Sequence, residues 1–145
     1  MAKRRGAEPA WWSRLTIDAI HTDQIREHGG VPGVRDENLL ESALARPRRK
    51  WHYGAPCDLP ALAAAYAFGL VQNHPYRDGN KCIGFLAMVT FLGVNGYDFS
   101  ASETEVVTEI VALAAGSVSE DALAAWIRQR SSCRQARTKL RRGDT

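Results

Sequence analysis

With 145 residues, a formal net charge of +3, 45% hydrophobic and 24% charged residues, the chain is one ordinary globular domain, large enough to bury a core without staples. Its three cysteines, Cys57, Cys82 and Cys133, are odd in number and scattered, which speaks against a disulfide framework and for reduced thiols in a cytoplasmic protein. Met1 to Arg5 is basic but leads into no apolar run, and Gly69, Gln72, Gly84, Thr90 and Gly93 break the longest apolar stretches, so neither a secretory signal nor a membrane span is expected.

In chain order, Thr16 can cap a helix from Ile17 to about Glu27, with Ile17, Ile20, Gln24 and His28 on a weak face and Gly29-Gly30 as its stop. Pro32-Gly33 makes a turn. Asp36 then caps a second helix, Glu37 to about Arg46, whose stripe is Leu39, Leu40, Ala43 and Leu44. Pro47 is expected to stop it. The basic and aromatic segment that follows, through Gly54, suits an exposed loop or small hairpin near residues 47–53.

Asp58, with Pro60 behind it, opens a third helix from Leu59 to about Gln72 that is apolar on nearly every side and so predicts a buried, central element. A fourth helix, Asn80 to Val94, is similarly apolar and closes at Asn95-Gly96. Tyr97-Asp98-Phe99 reads as a brief extended link. Ser102 with Glu105 forms a capping box for Glu103 to Ala115, and Ser119 caps Glu120 to about Arg130. The fold class expected is all-α, a single domain of about six helices with a small β-hairpin. Its boundaries are an N-terminal extension at 1–13, the domain at 14–130 and a basic, disordered tail at 131–145.

The excess positive charge sits at the two ends, on Lys3, Arg4, Arg5, Arg128, Arg130, Arg134, Arg137, Lys139, Arg141 and Arg142, with only Glu8 and Asp144 opposing it there. A basic tail is the usual sequence sign of nucleic-acid contact, but a solvated, frayed terminus is the commoner reading and the one expected here. No aromatic residue interleaves it, so base stacking is not indicated.

The chemistry is concentrated in His74-Pro75-Tyr76-Arg77-Asp78-Gly79-Asn80-Lys81, just ahead of the fourth helix. A helix start offers free N–H groups and a partial positive charge to a phosphate. His74 adds a base near neutral pH, and Asp78 a hard oxygen ligand suited to Mg²⁺. Gly79 permits close backbone approach, and the Asn80 amide can donate to a phosphate oxygen. Lys81 opposes the helix dipole in the first turn, which is unfavourable unless an anion is bound there. Each residue also has a plainer role, as cap, turn former or solvated charge. His74, Asp78 and Cys82 recur every fourth residue as zinc ligands would on a continuous helix, but Pro75 and Gly79 argue against an unbroken one.

The loop resembles that of the Fic/Doc superfamily, His-Pro-Phe-x-Asp/Glu-Gly/Ala-Asn-Gly/Lys-Arg. The segments Gly30 to Asp36, Leu39 to Pro47 and Phe91-Leu92-x-x-Asn-Gly, with Asn80-Lys81, resemble its death-on-curing (Doc) branch. The likeness spans about Leu15 to Ile127. It implies that His74 activates a hydroxyl on a target protein, that Asp78 holds Mg²⁺, and that Gly79, Asn80, Lys81 and position 82 contact ATP. It further implies that a flap of Arg48, Arg49, Lys50, Trp51, His52 and Tyr53 lays the target across the site.

Doc proteins phosphorylate a threonine of EF-Tu and are neutralised by a Phd-type antitoxin. Through that antitoxin alone would DNA be met, and no membrane partner is implied. The self-inhibitory motif Ser/Thr-x-x-x-Glu-Gly/Asn does not occur, so restraint is expected from another protein. Fic-type adenylyl transfer and a catalytically dead antitoxin-binding module are the alternatives. Cys82 stands where the family has arginine, and a neutral thiol in place of a five-donor cation is expected to attenuate or abolish activity.

Overall fold

A computed structural model describes residues 7–134. Six helices follow in order: α1 (Arg14–His28), α2 (Glu37–Tyr53), α3 (Leu59–Asn73), α4 (Asn80–Val94), α5 (Glu103–Ala114) and α6 (Glu120–Arg130). Two short strands, β1 (Tyr97–Phe99) and β2 (Ser131–Cys133), pair antiparallel with Tyr97 opposite Cys133 and Phe99 opposite Ser131. The expected all-α class and six helices are present, as is a small antiparallel element.

Helix α3 is the axis of the fold. Nearly all its residues from Pro60 to Val71 are buried, because no face of it is polar enough to prefer water. Helices α2, α4 and α6 pack around it. Two glycines set how close they come. A Cβ at Gly84 would lie 2.6 Å from Val71 Cγ2, and one at Gly69 would lie 3.1 Å from the Ala43 backbone. Helix α4 buries Ile83, Gly84, Ala87, Met88, Phe91 and Leu92, one face at helical spacing.

The local start signals work as read at Asp36, Asp58, Ser102 and Ser119, each of which accepts the expected backbone N–H. The cap of α1 is Ser13, not Thr16: the Thr16 N–H donates to the Ser13 hydroxyl, so the helix begins a turn earlier than expected.

Pro47 does not stop α2. The helix runs on to Tyr53, because Leu40, Ala43, Pro47 and Trp51 form one buried stripe, and their burial outweighs the N–H that proline lacks. No hairpin forms at 47–53. Trp51 is a core residue, meeting Trp11 edge-on at 6.4 Å, and Arg48 lies over the Trp11 ring. Lys50 pairs with Glu120, and His52 lies 3.2 Å from Glu8.

Within the described residues, the segments flanking α1 and α6 make specific contacts. Trp12 donates its backbone N–H to the Tyr66 hydroxyl oxygen and its indole N–H to the Ala87 carbonyl, while Trp11 stacks on Phe91. The segment from residue 7 is thus part of the core's cover. At the other end, residues 131–133 form β2, and Arg134 bonds Asp98. The basic positions Lys3, Arg4, Arg5, Arg137, Lys139, Arg141 and Arg142 lie outside the described residues.

Candidate active site

The loop between α3 and α4 is built where one helix ends and another begins. His74 is the C-cap of α3 in the left-handed region (φ 51°), the one non-glycine residue with positive φ among the described residues. This conformation costs about 1 kcal/mol for a residue with a Cβ. Arg35 holds it there: its Nε donates to the His74 carbonyl at 2.8 Å and its Nη2 to the Asn73 carbonyl at 3.0 Å, satisfying the orphan carbonyls of α3.

The segment Gly30–Asp36 is clasped to the loop along its length. Arg35 and Asp36 both donate their backbone N–H to the Pro75 carbonyl, Arg77 donates to the Gly33 carbonyl, and Val34 bridges to Tyr76. Asp78 completes the join, its Oδ2 accepting the Val31 N–H at 3.1 Å and its Oδ1 the Gly79 N–H at 3.1 Å. The two motifs noticed in the sequence are one structural unit.

Inside the loop, Tyr76 is buried, and Asn80 brackets it. Asn80 Oδ1 accepts the Tyr76 N–H and its Nδ2 donates to the Tyr76 carbonyl. The Asn80 amide therefore shapes the loop from inside, rather than standing free for a phosphate. The Tyr76 hydroxyl donates to Asp18, and burial, reinforced by that carboxylate, pushes its pKa far up, so it stays a donor. His21, which the sequence reading passed over, is buried, stacks on Tyr76 at 3.7 Å between ring centroids and meets the Asp78 carbonyl at 2.7 Å. A histidine on a weakly amphipathic helix carried no signal of this contact.

Gly79 caps α4 with φ 76° and supplies no side chain, so the first N–H groups of α4 lack a side-chain cap. Beside them is a cleft of about 340 Å³ lined by Val71, His74, Asp78, Gly79, Asn80, Lys81, Cys82 and Ala114. Every loop residue proposed from the sequence for catalysis or nucleotide contact is brought to this cleft. No carboxylate pairs with Lys81 among the described residues, which leaves its ammonium available to an anion at the helix start. A larger hollow of about 730 Å³ lies at the far end of α3 around Lys50, Asp58, Asp121 and Arg128, but its Asp58 and Arg128 are already ion-paired.

The residues present fit a magnesium ion held with a nucleotide. Asp78 is exposed, and each carboxylate oxygen, engaged by one N–H, keeps further lone-pair capacity. Mg²⁺ typically takes one or two carboxylates and completes its shell with phosphate oxygens and water. The zinc alternative finds no support: among the described residues no group of three His, Cys, Asp or Glu side chains could hold a metal.

Cys82 Sγ lies 3.3 Å from Gln24 Oε1, and burial pushes the thiol's pKa up. The group therefore stays a neutral thiol and places no negative charge beside the cleft.

The segment Arg48, Arg49, Lys50, Trp51, His52 and Tyr53 does not reach this cleft. Asn73 bonds the Leu39 carbonyl near the start of α2, and Gly69 packs on Ala43, so α2 runs antiparallel to α3. Its last turn lies beside the N-terminus of α3, roughly 20 Å from His74 by the length of a fifteen-residue helix. A flap over the site cannot be made from it.

No described helix is long and apolar enough to cross a membrane. A family model described as the Fic/DOC family matches residues 11–92. The protein called Protein kinase doc, from Escherichia phage P1, is 29% identical over 112 residues, covering 77% of this chain and 87% of that protein. Toxin Doc from Mycolicibacterium smegmatis is 42% identical over 76 residues, covering 50% of this chain and 57% of that one.

Proposed function

Because this chain belongs to the Fic/DOC family, we propose that it is a Doc-type toxin whose cleft transfers phosphate from ATP to a protein hydroxyl. The observation that carries this reading is the convergence of His74, Asp78 and Lys81 on the start of α4, where no side chain caps the helix. The helix N–H groups and Lys81 bind the nucleotide's phosphates. His74 takes the proton from the target hydroxyl as its oxygen bonds to the γ-phosphorus and ADP leaves. Asp78 holds Mg²⁺, which when bound neutralises phosphate charge.

Of the family's targets, an EF-Tu threonine is the substrate we propose, and a Phd-type antitoxin is the partner that restrains the toxin. Any DNA contact is made through the antitoxin. The location of both ATP and EF-Tu makes the protein cytoplasmic. Cys82 attenuates this copy, since a thiol held by Gln24 cannot replace the charge-assisted phosphate contact of an arginine.

Incubation with ATP labelled at either the α or the γ phosphate, with EF-Tu present, tests the reaction. The γ label should reach the target threonine. Transfer of the α label would instead establish adenylyl transfer, and no ATP binding by calorimetry would leave only a non-catalytic antitoxin-binding module.

A further inference from the structure

His21 and Asn80 are the buried polar side chains among the described residues. Asn80 is explained by its two bonds to Tyr76. His21, on α1, lies outside the loop and takes no part in the proposed chemistry. A buried imidazole is costly unless it makes a hydrogen bond, and a phenylalanine would cover the Tyr76 ring equally well. What the imidazole adds is the 2.7 Å contact from Nε2 to the Asp78 carbonyl. A carbonyl only accepts, so Nε2 carries the proton and donates.

The place of that carbonyl gives the bond its significance. The helical ladder of α4 begins with the Ile83 N–H on the Gly79 carbonyl, so the Asp78 carbonyl lies just outside it. Without a donor, the peptide joining Asp78 to Gly79 could rotate. One side of that peptide carries the Asp78 carboxylate and the other the Gly79 N–H that the carboxylate accepts. Locking the carbonyl therefore aims the carboxylate. The surroundings leave little room for another arrangement: a Cβ at Gly79 would lie 3.3 Å from Ile25 Cδ1 and 3.5 Å from His21 Nε2. Tyr76, stacked on the imidazole, is itself tied to α1 through Asp18, which pairs with Arg14.

We propose that His21 is a positioning residue, its Nε2–H fixing the peptide 78–79 so that the Asp78 carboxylate is held toward the cleft and available to a divalent cation. The cation part rests on the phosphotransfer reading, whereas the fixing of the peptide does not. Helix α1 thereby becomes part of the site's support, reading out to the metal ligand through one hydrogen bond.

Long-range ¹H–¹⁵N NMR of the unaltered protein should find the His21 proton on Nε2, and a neutral ring protonated on Nδ1 alone would overturn the proposal. His21→Phe keeps the ring against Tyr76 and removes the donor. Amide exchange at Val31 and Gly79 should then rise on the order of tenfold while α3 amides stay unchanged, and His21→Gln, which restores an N–H, should reverse most of it. Unchanged exchange at those two amides, or an equal rise throughout α3, would sink the idea. Should His21→Phe not fold, the proton position in the unaltered protein and the His21→Gln exchange decide.

Calorimetry supplies the functional readout. Mg²⁺ affinity in the presence of ATP should fall roughly tenfold or more in His21→Phe, as for the loss of other supports of metal ligands, while ATP affinity without Mg²⁺ holds. If the unaltered protein binds no Mg²⁺ with ATP, the phosphotransfer reading fails and the exchange data still judge the peptide's fixing. If it binds and His21→Phe binds equally well, the positioning role fails and the phosphotransfer reading stands.

Discussion

Arg35 and His74 are joined by a 2.8 Å bond from guanidinium Nε to backbone carbonyl, and the same guanidinium reaches the Asn73 carbonyl through Nη2. This fork ends α3 and holds His74 in its left-handed conformation, so the proposed base is set in place by a residue thirty-nine positions earlier. Arg35→Lys should behave much like Arg35→Ala, because one ammonium cannot reproduce a planar fork across two carbonyls. Either change should cost about 1 kcal/mol, kept modest by solvent at this exposed site, and slow phosphate transfer to the target further by loosening His74. Urea unfolding and transfer of the γ label would separate the two effects.

Gly30 meets the other end of the clasp. It has φ 123°, and a Cβ there would lie 2.9 Å from Asp78 Oδ2. Gly30→Ala should displace the carboxylate as well as strain the backbone, costing about 1–2 kcal/mol. The diagnostic outcome is a loss of Mg²⁺ binding larger than that in Gly29→Ala, where φ is also positive but a Cβ meets nothing within 4 Å.

Glu120 provides a pH-dependent brace. Burial alone raises its pKa, but bonds from Lys50 at 2.7 Å and Arg46 at 2.6 Å more than offset this and lower it below the ordinary 4.5. A depressed folded pKa means stability that is present above about pH 4.5 and lost as pH falls through the folded value. Glu120→Gln should destabilise the protein by about 1 kcal/mol at pH 7 and flatten its acid unfolding below about pH 4.5, followed by circular dichroism.

Cys82→Arg should restore the missing phosphate contact. We expect a rate gain of roughly 10²–10³ in transfer to the target and growth arrest that the antitoxin relieves. Equal harmlessness of both versions, with unchanged ATP affinity, would show that position 82 does not limit this protein.

Much of the fold was legible because its signals are local. Asp36, Asp58, Ser102 and Ser119 each bond an N–H within three residues, so their helices start where the chain says they do. The all-round apolar α3 could only be central. The loop at 74–81 was likewise readable as a cluster of polar groups ahead of a helix start, since both lie within eight residues.

What local reading could not supply came from burial and from distant contacts. Pro47 looked like a stop, but the buried stripe through Pro47 and Trp51 carried α2 to Tyr53 and removed the supposed flap. His21 looked ordinary until packing placed its ring on Tyr76 and its Nε2 on the Asp78 carbonyl, fifty-seven residues away. Likewise the segment 30–36 and the loop 74–78 were two separate motifs in the chain. The sequence by itself determined the presence and order of the helices and the chemical groups gathered in the 74–81 loop, since each depends on near neighbours. Tertiary packing decided which of those groups stand free and which are spent on holding the loop, because burial demands partners that only the folded chain brings within reach.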